Sequence, residues 1–74
     1  MANTIVDTKG MKCPLPVLKA RKALKDVAPG GIMIVLATDP GAKTDFEHFC
    51  KTTGCRLVEA SEADGVLTFT LQKP

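Results

Sequence analysis

IMIVLA, the run at residues 32–37, is the stretch of this 74-residue sequence that decides the fold. Six consecutive apolar residues are typical of a strand that is buried on both faces or lies at the centre of a sheet. A chain of this length has room for one domain, which we assign to residues 1–74. We therefore predict a single sheet that contains this strand.

Three further strands are predicted on either side of this run. TIVDT at residues 4–8 is short, β-branched and followed by Lys-Gly, which favours a first strand. Two more strands are expected near residues 56–61 and 66–72, the second with apolar residues that alternate with threonine. Asp64-Gly65 lies between them and is a strong hairpin signal.

The first of two predicted helices follows the first strand. Its apolar residues are spaced three and four apart, which predicts one buried face. These residues are Val17, Ala20, Leu24 and Val27. Pro14 suits the first helical position and Pro16 the first turn, because the N–H groups there have no intrahelical acceptor. The run PGG at residues 29–31 is expected to end this helix.

The second helix is predicted to begin with a capping box. Thr44 would be the N-cap and the side chain of Glu47 would reach back to it. The helix is expected to end at Gly54. The residues that it would bury are Phe46, Phe49 and Cys50.

The predicted order of elements is β-α-β-α-β-β. A crossover through a helix makes the first two strands parallel where they share a sheet. Because such crossovers are almost always right-handed, both helices should pack on the same face of the sheet. We therefore predict an α+β fold, a two-layer α/β sandwich with a four-stranded mixed sheet.

The composition is that of an ordinary globular protein, with 45% hydrophobic and 24% charged residues. No apolar run approaches the roughly 20 residues of a membrane span, and the N-terminus has no signal-peptide pattern. Three cysteines without a Cys-x-x-Cys pair, and one histidine, match neither a disulfide framework nor a zinc site. We expect a cytoplasmic protein with reduced thiols and no membrane partner.

Positive charge is concentrated at the start of the sequence. Residues 1–25 carry six basic side chains and one acidic one, whereas the remainder carries four basic and seven acidic ones. This distribution favours an anionic partner near the first helix. For any single lysine, a solvated helix face is the more common explanation.

Cys13 is predicted to be the N-cap of the first helix, at the carboxyl end of the first strand. Unpaired N–H groups and the positive end of the helix dipole favour the thiolate there, and Lys12 adds a positive charge. Because Pro14 and Pro16 have no N–H group, Leu15 is the main donor left near the sulfur. The two prolines are expected to hold the thiol in a fixed, outward direction.

Several kinds of thiol chemistry can be weighed at this position. A cysteine hydrolase needs a base, and the only histidine, His48, is predicted on the solvent side of the second helix. A dithiol oxidoreductase would need a second cysteine where Pro16 stands. An exposed thiolate at Cys13 can instead attack a sulfur donor and carry the sulfur as a persulfide. The alternative is an inert buried thiol, since free cysteines are commonly buried.

The motif Gly10-x-x-Cys13-Pro14-x-Pro16 resembles the signature of the TusA-like sulfur-carrier family, also called SirA-like. The resemblance covers nearly the whole chain through additional landmarks. These landmarks are Asp39-Pro40, Asp45 and the pair Phe49-Cys50. The family has the two-layer β-α-β-α-β-β fold, which the sequence pattern also predicts.

The resemblance implies that Cys13 bears the persulfide, with Gly10, Lys12, Pro14 and Pro16 as the supporting motif. It implies two partners, a cysteine desulfurase or other sulfur donor and a downstream relay protein. In the best-known branch the sulfur becomes 2-thiouridine in tRNA, and other branches serve molybdenum-cofactor assembly, sulfur oxidation or selenium metabolism. Such a protein is a sulfurtransferase in the carrier sense, and we expect it to be a monomer with no metal or organic cofactor.

Leu15 departs from the tRNA-thiolation branch, which typically has glutamate between the two prolines. Leu15 and Leu18 lie away from the predicted core face and would form an exposed apolar patch beside Cys13. Lys19 and Lys22 would lie nearby. We interpret these residues as a docking surface for partner proteins, and a partly covered packing role is the alternative.

Two acidic residues and two cysteines are open to two interpretations each. Asp39 ends the second strand, at the sheet edge where ligand sites gather, but it also suits a turn. Asp45 matches a family landmark, and any helix start favours an acid there. Cys50 is predicted in the core, and a Cys50–Cys55 disulfide is not expected in a reducing cell.

Two other classes of function compete with the sulfur carrier. One is a small nucleic-acid-binding module that uses the basic first half, and the other is a non-catalytic regulatory protein that binds through Leu15 and Leu18. Against the first, all three aromatic residues are assigned to the core, and no Tyr or Trp remains to stack on bases. We expect no direct contact with nucleic acid. Cys13→Ser separates these functions, because the carrier alone needs the thiol.

Overall fold

The computed structural model of the protein describes residues 4–12 and 15–74. The order of its elements is the predicted β-α-β-α-β-β. They are β1 (Thr4–Thr8), α1 (Leu15–Leu24), β2 (Ile32–Ala37), α2 (Ala42–Thr53), β3 (Arg56–Ala63) and β4 (Val66–Gln72). The predicted N-cap of α1, Cys13, and its predicted first residue, Pro14, lie outside the described residues.

The strands form one mixed sheet in the order β1-β2-β4-β3. β1 pairs with β2 in parallel, and β4 pairs antiparallel with both β2 and β3. β2 is therefore a central strand. A position at the centre of the sheet was one of the two predicted from its apolar run, the other being burial on both faces. It buries every second residue, and the residues between them are half-buried on the outer face of the sheet.

Both helices lie on one face of the sheet, as predicted. α1 packs against β1 and β2, α2 packs against β3 and β4, and the helices contact each other. The fold is thus a two-layer α+β sandwich whose core lies between the sheet and the helices.

Three phenylalanines form the centre of this core. The ring of Phe46 stacks on Phe69 at a centroid distance of 5.1 Å and meets the edge of Phe49 at 5.8 Å. All three side chains are buried. The other buried apolar residues include Val6, Ala20, Val27, Met33, Val35, Ala37, Ala42 and Leu71. The aromatic residues are therefore used in packing, as expected, and are not exposed for base stacking.

α1 ends at Leu24, well before the PGG run at residues 29–31, so the predicted end is wrong. The chain leaves the helix through tight turns, in which the N–H of Val27 donates to the carbonyl oxygen of Leu24 at 3.1 Å. The ammonium of Lys73 donates to the carbonyl oxygens of Val27 at 2.8 Å and of Leu24 at 3.1 Å. A cation from the far end of the chain thus satisfies the carbonyl oxygen of the last helical residue, a contact that the local sequence does not reveal.

α2 begins at Ala42, so the predicted capping box of Thr44 and Glu47 is wrong. Gly41 is the N-cap, and no side chain forms a capping hydrogen bond there. The carbonyl oxygen of Asp39 instead accepts the N–H of Ala42 at 3.0 Å. The turn after β2 therefore leads directly into the helix, and Thr44 falls inside the first turn.

The remaining turns agree with the sequence. Asp64 and Gly65 have φ angles of 53° and 79°, the left-handed pair that a tight hairpin requires. β3 runs two residues beyond the predicted span, to Ala63. A register shift between Leu57 and Glu59, which the sequence analysis does not include, separates the two parts of its pairing with β4.

Gly54 ends α2 at a φ of 79°, and its N–H donates to the carbonyl oxygen of Cys50 at 2.9 Å. We expect Gly54→Ala to lower the free energy of unfolding by about 1 kcal/mol, because a Cβ disfavours left-handed backbone. The measurement is urea unfolding followed by circular dichroism.

Gly41→Ala is the matched control, since Gly41 at the other end of α2 has a φ of −82° that any residue adopts. An added Cβ there would lie 3.6 Å from Asp39 Oδ2, an ordinary contact. We expect a change within about 0.5 kcal/mol for this variant. Equal losses in the two variants would contradict the conformational explanation.

Candidate functional site

The candidate site lies where β1 and β2 end side by side. Their parallel register pairs Thr8 with Ala37, the last residue of each strand. The chain then turns into a loop that leads to Cys13. The N–H of Met11 donates to the carbonyl oxygen of Thr8 at 3.1 Å, which closes a tight turn at the start of this loop.

Gly10 shapes the turn and connects it to the neighbouring strand. Its φ is +81°, a left-handed conformation that favours glycine. Its N–H donates to the hydroxyl oxygen of Thr38, the residue after β2, at 2.9 Å. The loop is therefore fastened to the ends of both strands. The sequence motif names Gly10 but not Thr38.

Thr8 and Lys19 provide two further connections at this edge. Thr8 is fully buried, and its hydroxyl donates to the carbonyl oxygen of Leu36 across the β1–β2 pair. The ammonium of Lys19, on α1, donates to the backbone carbonyl oxygen of Asp7 at 2.9 Å. Lys19 was predicted as a docking residue, and its ammonium also joins α1 to β1.

The backbone donor expected to serve the thiol already has a partner. The N–H of Leu15 donates to the carbonyl oxygen of Lys12 at 2.9 Å. The prediction that this N–H is left for the sulfur is therefore wrong. The positive end of the helix dipole and the charge of Lys12 are the remaining sources of thiolate stabilisation that the sequence suggests.

Exposed lysines surround the loop. The ammonium of Lys9 lies 3.9 Å from a carboxylate oxygen of Asp7 in an exposed ion pair. Lys12 and Lys22 are also exposed. Because exposed charges of this kind are strongly screened, they contribute little to stability and remain available to a partner.

Leu15 and Leu18 form an exposed apolar patch at the start of α1, as predicted. They are 53% and 54% exposed. Pro16 points the other way and is among the fully buried side chains. The second proline of the motif therefore packs in the core in addition to restricting the backbone.

Cys50 and Cys55 are free, buried thiols, each 7% exposed. Burial, with a smaller contribution from Cys55, raises the pKa of Cys50 from 9.0 to about 11. Because the thiolate is the nucleophilic form, this shift makes Cys50 a poor nucleophile at neutral pH. Cys50 is thus unsuited to sulfur chemistry, Cys55 is buried, and Cys13 lies outside the described residues.

The other predicted residues lie at the same edge of the sheet or on α2. Asp39 is half-buried just after β2, where its carbonyl oxygen supports the start of α2, as a turn residue would. Asp45 is half-buried in the first turn of α2. His48 is exposed on α2, on the solvent side as predicted.

No cluster of three metal-ligating side chains occurs within residues 4–12 and 15–74. Among the same residues, neither helix is long and apolar enough to cross a membrane.

Fold and site together define a small two-layer α+β domain with an exposed apolar patch at the start of α1, the helix that follows Cys13 in the sequence. The family model for sulfurtransferase TusA matches residues 4–73. The chain therefore belongs to the TusA sulfurtransferase family.

Individual relatives agree with this assignment. A protein of Neisseria meningitidis serogroup A, provisionally named a sulfur carrier protein, is 51% identical over 97% of each chain. The sulfur carrier protein TusA of Allochromatium vinosum is 43% identical over 92% of this chain and 90% of its own. The crystal structure of a SirA-like protein from Desulfitobacterium hafniense has a TM-score of 0.82 at 28% identity, over 93% of this chain and 95% of that one.

The raised pKa of Cys50 predicts a loss of stability at alkaline pH. Between pH 9 and about 11 the unfolded thiol loses its proton while the folded one keeps it, so the folded state binds more protons. The free energy of unfolding should therefore fall as pH rises through this range. Urea unfolding at several pH values measures the slope.

Cys50→Ala should be less stable at pH 7, because it removes a buried side chain. Its free energy of unfolding should nevertheless fall less steeply above pH 9 than that of the wild type. Parallel pH profiles for the two proteins would show that Cys50 does not contribute.

Proposed function

We propose that the protein is a sulfur carrier that holds sulfur as a persulfide on Cys13. One observation carries the proposal. Of three cysteines, the two that the structure describes are buried in the core, which leaves the cysteine of the family motif as the candidate. Names of similar proteins that include the term sulfur carrier add support.

The transfer needs no external oxidant. The thiolate of Cys13 attacks the terminal sulfur of a persulfide on the donor, a new S–S bond forms at Cys13, and the donor leaves as a thiolate. In the second half, an acceptor thiolate attacks the terminal sulfur of the Cys13 persulfide and releases the Cys13 thiolate. Each half exchanges one S–S bond for another, so no histidine base, metal or organic cofactor is required.

The partners follow from the family resemblance. The donor is a cysteine desulfurase or another sulfur donor, and the acceptor is a relay protein for tRNA 2-thiouridine, molybdenum-cofactor or sulfur-oxidation chemistry. The carrier acts as a cytoplasmic monomer. Its docking surface is the exposed part of α1, formed by Leu15, Leu18, Lys19 and Lys22.

Incubation with a cysteine desulfurase and cysteine, followed by intact-mass measurement, tests the proposal. We expect the mass of the protein to increase by one sulfur atom, and peptide mapping should locate it on Cys13. Cys50 and Cys55 should stay unmodified, because they are buried. Alkylation of all three cysteines after denaturation provides a positive control for the mapping.

Cys13→Ser is the matched variant, since it replaces the sulfur atom of Cys13 with oxygen and leaves the rest of the chain unchanged. It should gain no sulfur and should unfold at nearly the same urea concentration as the wild type. Sulfur uptake by Cys13→Ser would contradict the assignment. A wild-type protein that takes no sulfur but still binds a partner through α1 would favour the regulatory alternative.

The docking surface has its own test. Leu15→Glu combined with Leu18→Glu should lower kcat/KM for sulfur uptake by about tenfold or more, because two apolar contacts are replaced by charge. The fold should be unaffected, since both leucines are more than half exposed. The measurement is the rate of sulfur uptake at several carrier concentrations.

Val58→Glu is the control for an added charge at an exposed apolar position. Val58 is 51% exposed on β3, at the edge of the sheet away from β1. We expect near wild-type uptake for this variant. A double variant on α1 that transfers sulfur as fast as Val58→Glu would refute the docking role.

A further inference from the structure

Among the described residues, the segment that follows β1 forms a side-chain hydrogen bond to a distant part of the chain. The hydroxyl oxygen of Thr38 accepts the N–H of Gly10 at 2.9 Å, and the two residues are 28 positions apart in the sequence. The parallel β1–β2 pairing ends one residue before Thr38, at Ala37. The hydroxyl therefore extends the attachment between the two strands beyond the backbone ladder, into the loop.

We propose that Thr38 is a positioning residue for sulfur transfer. By holding Gly10 in place, its hydroxyl fixes the loop that runs through Lys12 and so sets the direction in which Cys13 is presented to a partner. This inference rests on the proposed function of Cys13, because it concerns the same sulfur.

The surroundings of Thr38 distinguish a positioning role for its side chain from a packing role. Thr38 is exposed, so its side chain does not fill the core. The core at this edge is completed by Thr8 and Ala37, which are fully buried. Loss of the Thr38 hydroxyl therefore removes a connection to the loop without creating a cavity.

The hydrogen bond matters because of the backbone it restrains. Gly10 adopts φ +81°, and a glycine has many alternative conformations of similar energy. The turn bond from Met11 to Thr8 closes the loop on itself but does not fix it relative to β2. The bond to Thr38 supplies this second restraint. Preorganised geometry of this kind raises the rate of a reaction that needs one direction of attack.

Thr38→Val tests the proposal, because valine keeps the shape of threonine but cannot accept the Gly10 N–H. Thr38→Ser keeps the hydroxyl and should rescue the defect. Thr52→Val is the matched control, since Thr52 is an exposed threonine whose hydroxyl bonds within α2, to the carbonyl oxygen of His48.

The first readout is single-turnover sulfur transfer from a persulfide-loaded cysteine desulfurase at increasing desulfurase concentration. We expect Thr38→Val to lower the saturating rate constant by about 2- to 10-fold, the range that one hydrogen bond provides. The concentration at half saturation should stay the same, because the α1 surface is intact. Thr38→Ser and Thr52→Val should both stay within about twofold of wild type.

The second readout needs no partner and therefore remains valid if the proposed function fails. It is the pH profile for alkylation of Cys13 by iodoacetamide, followed by mass measurement. The midpoint for Thr38→Val should move toward that of a free cysteine, whereas the midpoints for Thr38→Ser and Thr52→Val should not move.

Three results would overturn the positioning role. They are a Thr38→Val protein that matches wild type in alkylation profile, a Thr38→Ser protein that is as impaired as Thr38→Val, and a Thr52→Val protein with the same defect. A wild-type protein that takes no sulfur from the desulfurase would instead defeat the proposed function, and the alkylation profile would still decide the role of Thr38.

Discussion

The parallel pairing of β1 with β2 is the constraint on which the rest of the structure depends. Parallel neighbours cannot be joined by a short turn, so α1 must cross between them and must begin at the edge where β1 ends. The loop that bears Cys13, the start of α1 and the end of β2 therefore meet at one edge. A shift of the register by one residue would turn Val6 and Thr8 outward and Asp7 inward, and the burial of an unpaired carboxylate prevents it.

The packing of helices on the sheet also affects the reactivity of the cysteine thiols. Cys50 and Cys55 are both buried at the end of α2, and burial raises the pKa of the Cys50 thiol. Because nucleophilic attack on a persulfide requires a thiolate, a buried thiol competes poorly for sulfur even when it is reduced. A chain with three cysteines can thus work with one sulfur position, provided that the other two stay in the core. The packing of α2 is in this sense part of the specificity of the proposed carrier.

The sequence predicts the strands better than the helix ends, for a physical reason. IMIVLA and TIVDT are bounded by local turn chemistry, and the structure gives both strands the predicted residues. At the end of α1 the carbonyl oxygens instead accept the ammonium of Lys73, and no local pattern contains a partner from the opposite end of the chain. At the start of α2 the turn after β2 takes precedence over the capping preference of Thr44.

The candidate site likewise has some features that the sequence predicts and others that only the structure shows. The exposure of Leu15 and Leu18 follows from helix periodicity and was predictable. The bond from Gly10 to Thr38 requires the β1–β2 register, and the bond from the Leu15 N–H to the carbonyl oxygen of Lys12 is visible only in the structure. Neither can be derived from the motif alone. The motif identifies which residues matter, while the neighbouring strand determines how they are held.

The size of the apolar patch on α1 bears on how a carrier must bind. Leu15 and Leu18 are already about half-buried in the free protein, so a partner can gain only about 1 kcal/mol from each by covering the rest. Two contacts of this size, with screened lysines around them, suit a small and transient interface better than a permanent one. A carrier has to leave its donor before it can meet its acceptor, and a tight complex with either would slow both halves of the transfer. Under the proposed function, donor and acceptor both need access to the same sulfur, so the proposed docking surface on α1 would serve them in turn, and weak binding there would allow the exchange.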